Sequence, residues 1–158
     1  MPAQDAVTNL TCVIKCAGMR KNMMTVSIKV NGSLEKVWDH FTNPEHIVHW
    51  NFASDDWHST WAKNDLRVNG KFITRMEAKD GSFGFDFEGI YTEVTRYKGY
   101  TYELEDGRRI IVTFEEADGN VIVREDFDPE DENTHERQQY GWQCILDNFK
   151  KYSESVEA

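Results

Sequence analysis

From Met24 onward, apolar and polar residues alternate in short runs separated by turn residues. Met24, Val26, Ile28 and Val30 oppose Thr25, Ser27 and Lys29, which predicts a strand closed by Asn31-Gly32. The same period dominates Phe83 to Phe127. Phe83, Phe85, Phe87 and Tyr91 share one face, as do Tyr100, Tyr102 and Leu104. Ile110, Val112 and Phe114 form a third set, and Val121, Val123, Glu125 and Phe127 a fourth. Asp80-Gly81, Asp106-Gly107 and Asp118-Gly119 punctuate this stretch. Asp-Gly favours tight hairpins because Gly reaches positive φ without a Cβ clash. Phe72, Thr74 and Met76 predict another strand after the Asn69-Gly70 turn, and a short strand is expected near 57–62. Period two with one apolar face indicates antiparallel pairing, with the apolar side covered.

Two stretches follow a helical period instead. Leu34, Val37, Trp38 and Phe41 recur behind Ser33, a capping residue, with Glu35 in the first turn. Asn43-Pro44 ends this helix and opens a second, short one. Near the C-terminus, Trp142, Ile145, Leu146, Phe149 and Tyr152 form an apolar stripe, and only Gly141 interrupts the helical pattern. Asn133 and Glu136 predict a capping box at its start. A helix from there to residue 155 is about 30 Å long, enough to lie across a sheet and cover its aromatic face. The predicted fold class is α+β, with six or seven antiparallel strands, two short helices after the first strand and one long C-terminal helix. Residues 1–22 show neither turn chemistry nor a clear period and read as an N-terminal tail before one domain, 23–158.

Composition narrows the functional classes. A formal net charge of −10 would repel a phosphate backbone, so nucleic acid is not an expected partner. No run approaches the roughly 18 apolar residues of a membrane span, so membrane insertion is not expected either. The odd count of three cysteines does not indicate a disulfide framework, which makes a reducing cytoplasm the expected compartment. Cys12 and Cys16 could pair or hold a metal, but two ligands do not make a site. His46, His49 and His58 are the histidines that could converge on zinc, yet no Cys or carboxylate spacing reinforces them. Neither a metal nor a cofactor is expected. No phosphate loop, HExxH motif or nucleophile elbow occurs.

The motifs then point to a family. Val37-Trp38, Phe41-Thr42-Asn43-Pro44-Glu45-His46-Ile47 and Trp50 make an opening signature. Asp65-Leu66-Arg67, Gly70-Lys71-Phe72, Asp80-Gly81-Ser82 and Phe87-Glu88-Gly89-Ile90-Tyr91 follow. Gly141-Trp142-Gln143, Ile145-Leu146 and Asn148-Phe149 close it. Over residues 24 to about 155 the chain resembles the START-like helix-grip (SRPBCC) superfamily, in the branch named after the activator of the heat-shock protein 90 ATPase. The resemblance implies a curved sheet gripping the C-terminal helix, with a cavity between them that commonly takes lipids, sterols or other apolar molecules. Some members are cyclases or hydrolases. Heat-shock activators pair such a domain with a second one, for which this chain is expected to be too short. Asn69 stands where the family often has a first glycine, and Asn tolerates positive φ well enough for the turn to survive.

Aromatic residues make up 13% of the chain, and apolar pockets are lined by such side chains with a few polar groups for orientation. The candidate ligand-binding residues are Trp50, Phe52, Trp61, Phe72, Met76, Phe85, Phe87, Tyr102, Phe114, Glu125, Gly141, Trp142, Ile145 and Phe149. Alternation turns Glu125 inward, where a carboxyl is costly and its pKa tends to rise, unless a bulge turns it to water. Arg75 would be its natural partner, but alternation puts Arg75 on the outer face. Gly141 costs a helix roughly 1 kcal/mol against Ala, which close packing or room for a ligand would offset. The leading expectation is non-enzymatic binding of an apolar small molecule, lipid-like or aromatic, between sheet and helix. An enzyme using Glu125 as acid or base on such a molecule is the first alternative. A chaperone-linked protein-interaction module using the acidic face is the second.

Overall fold

The computed structural model describes residues 23–157, so the expected tail, with Cys12 and Cys16, lies outside the described residues. Strand β1 (Met24–Asn31) leads into α1 (Leu34–Thr42) and the short α2 (Pro44–Ile47). Six strands follow: β2 (Trp57–Asn64), β3 (Lys71–Ala78), β4 (Gly84–Thr95), β5 (Gly99–Glu103), β6 (Arg109–Ala117) and β7 (Asn120–Phe127). Helix α3 (His135–Glu157) closes the chain. The seven strands form one antiparallel sheet in the order β1-β7-β6-β5-β4-β3-β2. A curled sheet of this kind with a C-terminal helix is the helix-grip architecture.

Local chemistry explains most boundaries. Ser33 caps α1 through its hydroxyl, which accepts from the Lys36 amide, and Asn43 caps α2 by accepting from the Glu45 amide. Asp118 and Gly119 both take positive φ, 52° and 81°, as a type I′ hairpin turn requires. Asn69 adopts φ 70°, so the turn before β3 survives without the first glycine. The turn between β4 and β5 carries no Asp-Gly: Tyr97, at φ 66°, and Gly99, at φ 153°, both take positive φ there. The start of α3 differs from the expected capping box. Thr134 caps it, its hydroxyl accepting from the Arg137 amide, while Asn133 is held by the Glu130 carboxylate.

Helix α3 covers less of the sheet by itself than its length suggests. It runs beside β1 and satisfies that strand's open edge. Gln139, Gln143 and Lys150 donate to the carbonyls of Thr25, Ser27 and Lys29, at 3.0, 2.9 and 2.7 Å. Glu154 accepts from the Asn31 amide at 2.9 Å. Bare edge carbonyls invite strand addition from another chain, and these side chains occupy them. Helix α1 shares the covering of the aromatic face. Trp38 meets Tyr97, Tyr100 and Phe114 edge-on, and Phe41 packs on Trp50, Phe114 and Phe149. The fully buried Val30, Val121, Val123, Leu146 and Phe149 mark the centre of this core.

Candidate functional site

Strand register sets the chemistry of the inner face. Val26, Glu125, Val112 and Tyr100 stand in one row across β1, β7, β6 and β5. Phe127, Ile110, Tyr102 and Tyr91 form the next row, across β7, β6, β5 and β4. Where α1 and α3 part above these rows, a cavity of about 250 Å³ opens. Phe72, Thr74 and Met76 of β3, Phe87 and Tyr91 of β4, Tyr100 and Tyr102 of β5 and Glu125 of β7 line its sheet side. Phe41, Ile47, Trp50 and Asn51 line one wall, and Trp142 and Ile145 of α3 the other. Two hydrogen bonds hold the Trp50 wall: its indole N–H donates to the His40 carbonyl, and Asn148 of α3 donates to its own carbonyl. Trp142 is fixed by stacking on Phe127, with ring centres 4.2 Å apart.

The polar groups at the cavity fall into two sets. Tyr91 and Asn64 are satisfied: the Tyr91 hydroxyl donates to Asn64 Oδ1 at 2.6 Å, and the Asn64 amide donates to the Thr42 carbonyl at 2.7 Å. Glu125 is different. Its residue is only 7% exposed, yet no hydrogen bond from any described residue reaches its carboxyl, which faces the cavity. Burial alone pushes its pKa up to about 8, so the acid is largely neutral at pH 7. Arg75 cannot relieve it, because Arg75 sits on the outer face, bound to Glu77 and Asp86 at 3.0 and 3.1 Å. The hydroxyls of Tyr100 and Tyr102 also lack partners among the described residues and open onto the cavity. Burial raises both phenols well above the usual range; Tyr91 and Tyr102, then Glu125, raise Tyr100 further, and Glu125, then Tyr91, raise Tyr102.

Nine of the residues expected at a site lie at this cavity: Trp50, Phe72, Met76, Phe85, Phe87, Tyr102, Glu125, Trp142 and Ile145. Five do not. Trp61 is 40% exposed because a bulge between Ser59 and Ala62 turns it outward, leaving Ser59 inside. Phe52 lines a separate pocket with Cys144 and Asn148. Phe114 and Phe149 are buried beneath the cavity wall against Phe41 rather than at it. Gly141 does not line the cavity, and a Cβ there would meet no atom of another described element within 4 Å. Gly141→Ala is therefore expected to stabilise the protein by about 1 kcal/mol. Urea unfolding should show a higher midpoint at unchanged slope, and a lower midpoint would expose a role for that glycine.

Tyr100 and Tyr91 belong to the lining although sequence reasoning did not select them; they share faces with Tyr102 and with Phe87, which was the available signal. Phe41, Ile47, Asn51 and Thr74 were likewise not selected. The histidines sit elsewhere. His46 bonds Tyr152 at 2.6 Å, His49 stacks on the same ring, and His58 lies 4.0 Å from Glu77. Among the described residues no three His, Cys, Asp or Glu side chains gather as a metal site.

The model of the family described as activator of Hsp90 ATPase homolog 1-like protein matches residues 31–154. The chain belongs to that family. Among solved structures of similar proteins, the solution structure of the AHSA1-like protein from Aeromonas hydrophila is 43% identical, over 85% of this chain and 94% of that one, with a TM-score of 0.78. A protein from Cytophaga hutchinsonii is also 43% identical over the same shares, with a TM-score of 0.74. A crystal structure from Nitrosomonas europaea, 18% identical over 85% of this chain and 96% of that one, shares the fold at a TM-score of 0.73. No curated protein matches the chain. The activator-like fold is compatible with a ligand-binding or an interaction module, and among the described residues no helix is long and apolar enough to cross a membrane.

Proposed function

We propose that this activator-like domain binds a small, largely apolar molecule in the cavity between sheet and helices, without transforming it. The observation that carries the reading is the cavity itself, about 250 Å³ of space walled mainly by aromatic rings, onto which the Glu125 carboxyl and the Tyr100 and Tyr102 hydroxyls open without a hydrogen bond from any described residue. An apolar cavity of about 150 Å³ already accommodates benzene, so this one suits one or two rings or a short branched chain. Apolar walls supply the driving force, and Glu125, Tyr100 and Tyr102 orient the guest. Phe85, 40% exposed and in ring contact with Phe83 and Trp57, stands at the mouth.

Native mass spectrometry of the protein purified from its own host tests this, with extraction and identification of whatever is bound. A stoichiometric small molecule supports the reading; an empty protein that also fails to bind any member of a fragment set removes it. Ile145→Trp supplies a control. The larger side chain projects from α3 into the cavity, and ligand affinity should fall at least tenfold while the circular dichroism spectrum stays native. Overpacking of this kind typically costs about 1–3 kcal/mol, which a folded domain can absorb.

An enzymatic reading would assign Glu125, poised near neutrality, as a general acid or base. Release of a chemically altered product from the bound molecule would favour it over simple carriage.

A further inference from the structure

Glu125 shows what its ligand must bring. Among the cavity-lining side chains it is the carboxylic acid, it has no hydrogen-bond or ion-pair partner among the described residues, and it is more than nine-tenths buried. Each neighbouring element withholds a counter-charge. Strands β1 and β6 present Val26 and Val112 beside it, and α3 presents Trp142 and Ile145 to the same space. The titratable groups facing it are the phenols of Tyr100 and Tyr102 from β5 and, beyond them, Tyr91 from β4. Arg108 acts on Tyr102 but is already bound to Asp106 at 2.9 Å. Lys63, at the cavity's edge, is exposed and lies over the Trp61 ring at 5.8 Å.

The aromatic walls supply the complementary half. The rings of Tyr100 and Tyr102 stack with centres 6.2 Å apart; Tyr91 stands edge-on to them at 5.3 and 6.3 Å, and Phe72 edge-on to Tyr102 at 4.7 Å. Ring faces attract a cation through their quadrupoles, more strongly when water is excluded. A buried carboxyl and an aromatic enclosure together suit an ammonium group. The net charge of −10 adds to this, because an acidic surface concentrates cations at its clefts.

We propose that the cavity takes an organic cation, an alkylammonium group on a one- or two-ring apolar body, with Glu125 as its counter-ion and the tyrosine rings as its enclosure. This rests on the cavity being the ligand site. Proton linkage separates it from any neutral guest. Because free Glu125 holds its proton up to about pH 8, a cation must displace that proton to form the ion pair. Affinity for the cation therefore rises as pH rises toward that value and levels above it.

Calorimetric titration with 2-(2-naphthyl)ethylamine and its neutral counterpart 2-(2-naphthyl)ethanol, from pH 6 to pH 9, tests the proposal. The amine, charged across this range like a lysine side chain, should gain about fifty-fold in affinity between pH 6 and pH 8. At pH 6 it should release close to one proton per molecule bound, read from buffers of different ionisation enthalpy. The alcohol's affinity should not rise. In Glu125→Gln the amine should lose its pH dependence and its advantage over the alcohol. Equal, pH-independent binding of both compounds overturns the cation proposal and leaves the apolar-ligand reading standing. Binding of neither overturns the cation proposal, and the fragment set then decides the apolar-ligand reading. The wild-type pH profile decides the matter even if the variant fails to fold.

Discussion

Glu125→Gln makes the ligand-free protein more stable at alkaline pH than at acid pH, relative to the parent, by about 3 kcal/mol between pH 5.5 and pH 8. The sign follows from the direction of the shift. The Glu125 carboxyl is raised from the ordinary range to about 8 in the folded protein. The folded state therefore binds this proton more tightly than the unfolded chain does. Its favourable contribution is complete below pH 4.5 and is lost progressively as pH climbs to about 8. Glutamine carries no charge to desolvate, so the variant does not share that loss. Urea unfolding of parent and variant at both pH values measures the effect as a difference of differences, which removes the other titrating groups. A parent and variant that track each other across this range would mean that Glu125 ionises freely, and the electrostatic account of the cavity would fall with it. A bound cation should reverse the trend in the parent, because it restores the ionised form with a partner.

Phe149→Ala lowers stability by about 4 kcal/mol, a large part of what a domain of this size has. Phe149 is fully buried, and its ring meets Phe41 at 4.8 Å and Trp50 at 4.9 Å, both edge-on. Truncation removes these contacts and leaves a void that the sheet on one side and α1 on the other cannot close. Phe41 and Trp50 are also cavity walls, so the void lies directly behind the candidate site. The variant should therefore bind a guest larger than the parent accepts, once stability is corrected for. Denaturant unfolding gives the first number and a size series of naphthyl compounds the second. A loss below 1 kcal/mol would show that Phe149 is not packed as its burial implies.

The contrast between these two residues shows how far local pattern reaches. Both were candidate ligand contacts on the sequence. Alternation along β7 is a local property with a period of two, so it placed Glu125 on the apolar face without knowledge of any other strand. The helical period likewise put Phe149 on the buried stripe of α3. What neither period carries is depth. Whether an inward side chain lines a void or fills one depends on how far the sheet curls and where two helices cross above it. Those distances are set by many side chains distant in sequence.

The same distinction runs through the rest of the molecule. Turns signalled by Asp-Gly and Asn-Gly, the caps at Ser33 and Asn43 and the order of strands and helices were determined by the sequence itself, since neighbouring residues settle each one. Tertiary structure alone decided that a bulge expels Trp61 and that Tyr97 takes positive φ in the turn between β4 and β5, together with Gly99. It also decided that α3 seals the edge of β1 through Gln139, Gln143 and Lys150, and that among the described residues the space where a Gly141 Cβ would stand is open. The unpartnered state of Glu125 belongs to this second group. Sequence turned the carboxyl inward, but only the assembled sheet, with Arg75 held by its own acids on the far face, left it without a counter-charge among the described residues. A partner's absence is a fact about every element within reach, and no local window contains them all.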